Sequence, residues 1–166
     1  MKKIRNITMV LAIVCLVLAT FSASDALSDE HDLLKGVNAT PVLFDMRDGN
    51  PKSAVIHLNL IYDTFQELSA AKKNPEFVVV FMAGSVKLIS SDHSGFDAEV
   101  QTSLKEIPGI ISKLSEAGIR MEVCLFAVKV MGVDPTSLLP KIERVGNGWI
   151  SEIAYQTKGY SLVPVY

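Results

Sequence analysis

The run Phe77–Met82 (FVVVFM) is apolar at every position and lies between Asn74-Pro75 and the small residues Ala83, Gly84 and Ser85. A strand that alternated polar and apolar residues would have one face in water. One rich in β-branched and aromatic side chains throughout is covered on both faces, which is the condition of a central strand in a parallel sheet. Parallel neighbours need crossover connections, so the chain on either side has to supply helices. It does so upstream, where Ala54, Leu58, Ile61, Phe65 and Leu68 recur at helical spacing and predict a helix from about Pro51 to Lys72. Pro51 suits its first turn, and Lys72 and Lys73 fall at the negative end of its dipole.

The rest of the chain keeps this alternation. Pro41–Met46 predicts a first strand, stopped by the turn cluster Arg47, Asp48, Gly49, Asn50 and Pro51. Asp97–Lys105 and Pro108–Ala117 read as one broken helix or two short ones, closed by Gly118 in the left-handed conformation. A strand at Ile119–Val123 then runs into a short helix. Ile142–Val145 is a short strand, Gly146-Asn147-Gly148 a sharp turn, Trp149–Lys158 a helix capped by Gly159, and Tyr160–Val165 the last strand. The fold expected is α/β and three-layer: about five strands in a mainly parallel sheet with helices on both faces.

Three segments organise the chain. Lys2, Lys3 and Arg5 precede an uncharged stretch from Ile7 to Phe21 and the small residues Ser22, Ala23 and Ser24, the pattern of a signal peptide over 1–24. Residues 25–39 are polar and aperiodic, a flexible leader that includes His31, and 40–166 form one domain able to bury its own core. The expected location is therefore periplasmic or secreted, with no membrane attachment after cleavage. Losing three basic residues takes the net charge from −2 to about −5. No Lys/Arg cluster remains, which argues against nucleic acid as a partner.

Of the two cysteines, Cys15 lies in the signal segment, leaving Cys124 alone in a compartment that oxidises thiols. It falls near the carboxyl end of its strand, where open parallel sheets gather their reactive groups. Two readings stand side by side. Cys124 is a reactive thiol, or it is a buried structural cysteine in a non-catalytic binding or scaffold protein. Possible auxiliaries to a reactive thiol are Asp92 and His93 in the loop Ser90–Phe96, and Lys129 about one helical turn beyond the cysteine. His57 flanks the apolar stripe of its helix and reads as structural. No CxxC, HExxH, GxSxG, phosphate-loop or dinucleotide signature is present, so no cofactor and no metal is expected.

Three stretches carry a family resemblance: FVVVFMAGSVKLIS, AGIRMEVCLFAVKVMGVD with its cysteine at the strand end, and the tail LLPKIERVGNGWISEIAYQTKGYSLVP. In the tail, Leu138-Leu139-Pro140, Val145, Gly148, Gln156, Gly159, Tyr160 and Pro164 fall at the family's spacing. From Thr40 to the C-terminus the chain resembles the DsrE/DsrF-like family of YchN-like fold. The resemblance implies a homo-oligomer, a trimer or hexamer, working in sulfur relay, with Cys124 carrying sulfane sulfur as a persulfide. Its partners would be a sulfur donor or acceptor protein or a small sulfur species.

Overall fold

The computed structural model describes residues 33–166, so the predicted signal peptide and most of the leader lie outside the described residues. From Asn38 onward the chain forms one compact unit. Its sheet has five strands: β1 (Thr40–Met46), β2 (Pro75–Phe81), β3 (Arg120–Cys124), β4 (Glu143–Val145) and β5 (Ser161–Val165), in the order β4-β3-β2-β1-β5. Every pairing is parallel. The apolar run beginning at Phe77 occupies β2 at the centre, and Phe77 to Phe81 are at most 2% exposed.

Four helices connect the strands: α1 (Pro51–Ala70), α2 (Gln101–Glu116), α3 (Leu125–Val130) and α4 (Gly148–Thr157). The path β1 to β2 to β3 moves in one direction across the sheet. Right-handed crossovers therefore put α1 and α2 on one face, where they pack together, while the return from β4 to β5 lays α4 over β1, β2 and β3 on the other. On the first face Ala54, Leu58 and Ile61 of α1 join Leu104, Ile107, Ile111 and Leu114 of α2 in the core. Phe77 meets Phe44 and Phe65 edge-on, with ring centroids 5.0 and 5.3 Å apart.

The expected break at Pro108 does not occur, and α2 is one continuous helix preceded by a 3-10 turn at Ala98–Val100. A proline in a helix interior loses one backbone bond and strains the turn before it. Burial of Leu104, Ile107, Ile110 and Ile111 around it outweighs that loss. Gly118 is left-handed (φ 87°), as its place after the helix requires. Gly49 and Gly84 let two loops touch through their backbones, since a Cβ on either would stand 3.1 Å from the other's Cα.

Candidate functional site

Parallel register assembles the site. Met46, Phe81 and Val123 are paired across β1, β2 and β3, so the next row at the carboxyl edge is Arg47, Met82 and Cys124. Two strand spacings of about 4.8 Å separate the outer members of such a row. All three residues line one cleft of about 290 Å³, walled otherwise by Ala83, Phe126, Ala127, Val130, Met131, Asn147 and Trp149. Its walls are apolar except at Arg47, Asn147 and the thiol. Cys124 is 4% exposed, and this cleft is its opening to the outside.

The amino end of α4 closes the site from the opposite face. Asn147 caps the helix, its side chain accepting from the Trp149 amide at 3.0 Å, and the Gly148 amide donates to Cys124 Sγ at 3.2 Å. Amides at a helix N-terminus carry partial positive charge and suit an anionic sulfur. Glycine at 148 leaves room for this contact, because a Cβ there would lie 2.5 Å from Met82 Sδ and 3.0 Å from Cys124 Cβ and would force the Met82 side chain to move.

One turn along α4, Glu152 reaches the other end of the row. Arg47 donates from Nε to Asp45 Oδ2 at 2.6 Å, and its Nη2 stands 3.8 Å from Glu152 Oε2. The bond to Asp45 raises the Arg47 pKa above its ordinary value. Asp45 Oδ1 and Glu152 Oε1 are buried and take no hydrogen bond from a donor among the described residues. Burial, reinforced by the Asp45 charge and a shared hydrogen bond, pushes the Glu152 carboxyl up to about 7. Further along α4, Tyr155 donates to Glu122 Oε1 at 2.7 Å and Ser151 also bonds Glu122, fixing the helix to β3 two residues before the cysteine. Burial, then the bond to Glu122, raises the Tyr155 pKa.

The expected auxiliaries stand elsewhere. Asp92 is exposed and lines a separate polar cleft of about 440 Å³ with Lys87, Ser90 and Asp134. Its carboxylate accepts from the Ser94 amide at 3.0 Å, a bond that lowers its pKa. His93 is half-buried, edge-on to Phe96, with its Nε2 buried and unpartnered. Lys129 is exposed in the last turn of α3. None of the three lines the cleft at Cys124. His57 lies 3.3 Å from Asp48 Oδ2 beside the α1 cap, a structural placement. Among the described residues no group of three or more His, Cys, Asp or Glu is placed to hold a metal ion.

Arg47, Asn147 and Gly148 were legible in the sequence only as turn residues. An Asn followed by an apolar helix was a capping signal, but nothing local indicated that the capped amide would meet Cys124.

Comparison with known proteins agrees with this architecture. A protein of Aquifex aeolicus (strain VF5) is 26% identical over 126 residues, covering 74% of this chain and 54% of its own length. The chain thus spans about half the length of the curated relative it matches. Two solved structures share the fold: the protein of unknown function MTH1491 from Methanobacterium thermoautotrophicum (TM-score 0.56, 23% identity, 75% of this chain and 98% of that one) and the ychN protein from E. coli (TM-score 0.51, 15% identity, 76% and 99%). The DsrE/DsrF-like family matches residues 64–165, more than half of the chain and inclusive of Cys124 and all of α4, and the protein belongs to that family.

Proposed function

We propose that this protein accepts and passes on sulfane sulfur through a persulfide on Cys124. The observation that carries the reading is a cysteine at the end of a rigid strand whose sulfur receives the first amide of α4 and lines an open cleft. The Cys124 thiol loses its proton to solvent and the thiolate attacks the terminal sulfur of a donor chain. The donor's sulfur–sulfur bond breaks, the shortened donor leaves with the electron pair, and Cys124 holds the new sulfur. An acceptor thiolate then attacks that outer sulfur and Cys124 departs as thiolate, so no outside oxidant or reductant is consumed. The α4 amides favour the negative charge in both the thiolate and the terminal persulfide.

Two further parts of the reading rest on other features. The basic, apolar and small-residue pattern of 1–24 supports export, hence action in the periplasm or outside the cell. Phe126 and Trp149 at the cleft, with Ile150 and Ile153 further along α4, are exposed apolar side chains that support self-association, which we take to be as a trimer or hexamer. Cell fractionation tests the first, and light scattering on purified protein tests the second.

The chemical test treats the folded protein with polysulfide, then maps Cys124 by mass before and after a reductant. A gain of one sulfur, removed by the reductant and absent in Cys124→Ser, is expected. Resistance of Cys124 to polysulfide and to alkylation until the chain is unfolded would return it to the role of a structural core cysteine.

A further inference from the structure

We propose that the cleft at Cys124 selects its sulfur donor as an anion, a short inorganic polysulfide, with the Arg47 guanidinium holding the charged end of the sulfur chain. The proposal rests on the persulfide reading above and adds the substrate class and a positioning residue.

Three observations converge. The strand register sets Arg47 in the same row as Cys124, one residue beyond β1, with Met82 between them. At two strand spacings, their backbones are roughly 10 Å apart, a separation that two side chains and a chain of a few sulfur atoms can bridge. Second, Arg47 brings a fixed cation into a cleft otherwise walled by Met82, Ala83, Phe126, Val130, Met131 and Trp149. Guanidinium carries five N–H donors, and among the described residues the one hydrogen bond from the Arg47 side chain goes from Nε to Asp45, so donors remain for an anion in the cleft. Third, of the two carboxylates behind it only Asp45 pairs directly with its charge, through the bond to Nε. Glu152, whose Oε2 stands 3.8 Å from Arg47 Nη2, has its other oxygen buried without a partner, and burial beside Asp45 favours its neutral form, so it adds little to that offset.

The lining then distinguishes among anions. A sulfur chain is soft and weakly hydrated, and it packs against thioether and aromatic walls as the sulfur of Met does. Thiosulfate presents a strongly hydrated sulfonate that these walls would strip of water without replacing its hydrogen bonds. Polysulfide places one charge at Arg47 and its reacting sulfur at Cys124, and transfer follows the balanced exchange given above. Arg47 touches the donor but forms no bond to sulfur.

The experiment compares, on the full chain, labelling of Cys124 by iodoacetate and by iodoacetamide, reagents of nearly equal size that differ in charge, with the site read by peptide mapping. In Arg47→Gln the iodoacetate-to-iodoacetamide rate ratio is expected to fall about tenfold, the order of one charge-assisted hydrogen bond. Arg47→Lys, which keeps the charge, should retain most of the wild-type ratio. In parallel, polysulfide should load Cys124 faster than thiosulfate in the wild type, and Arg47→Gln should slow that loading. An unchanged ratio in Arg47→Gln, or thiosulfate loading as fast as polysulfide, overturns the proposal and leaves the persulfide reading intact. Failure of every reagent to reach Cys124 in the folded protein defeats the persulfide reading itself. General loosening of the fold speeds both alkylating reagents alike and does not move their ratio.

Discussion

Glu152→Gln probes the carboxyl pair beside the cleft through the pH dependence of stability. Glu152 and Asp45 are 8% and 4% exposed, and each keeps one buried oxygen without a partner. Burial first, then the charge and hydrogen bond of Asp45, move the Glu152 carboxyl from 4.5 to about 7. The folded protein therefore keeps a proton that the unfolded chain releases near 4.5. The stability contributed by this group is complete below that value and is lost as pH rises through about 7. At 1.36 kcal/mol per pH unit the full gap is worth about 3 kcal/mol. The nearby Arg47 and the shallow position at the sheet rim reduce the expected loss to about 1.5 kcal/mol. Glutamine is neutral at every pH and its amide can donate to Asp45 as the protonated acid does. Urea unfolding at pH 4.5 and pH 8.5 should give near parity at the lower pH. At the higher pH Glu152→Gln should be the more stable protein by about 1.5 kcal/mol, or roughly 4 °C in Tm. A difference between the two proteins that is the same at both pH values, or that favours the wild type as pH rises, refutes the shared proton.

Gly148→Ala should cost about 1–3 kcal/mol by overpacking Met82 and should disturb the amide-to-sulfur bond, so both Tm and the alkylation rate of Cys124 change. Tyr155→Phe removes the 2.7 Å bond to buried Glu122 and should lower stability by about 1–3 kcal/mol in urea. Cys124→Ser should abolish sulfur loading while leaving far-ultraviolet circular dichroism unchanged, because a serine fits where the small thiol packs. Gly49→Ala brings a Cβ to 3.1 Å from the Gly84 Cα, a backbone atom that cannot swing aside, so its Tm should fall more than that of Gly95→Ala, where the Cβ meets open space.

The order of elements and the central place of β2 could be read directly, because burial on both faces leaves an uninterrupted apolar run and burial on one face leaves a period. The helix from Pro51 was legible for the same reason, and Gly118 because a helix end in the left-handed conformation favours glycine. Pro108 was misleading: its local penalty suggested a break that core burial overrides, and burial is a property of the assembled layers. Asp92 and His93 are adjacent to each other in sequence, and Lys129 is near the cysteine, but proximity along the chain does not bring a side chain into the cleft.

What the amino-acid sequence determined by itself was the alternation of strands and helices and the position of Cys124 at a strand's end, since these follow from local periodicity, and, through the resemblance of three of its stretches, the family. Only the tertiary structure decided which groups surround the sulfur. Arg47, Met82 and Gly148 are separated from Cys124 by tens of residues, and they meet it because parallel register aligns three strand ends and the return crossover lays α4 across them. Such contacts depend on hydrogen-bond register and crossover handedness, neither of which leaves a mark on the residues at the site.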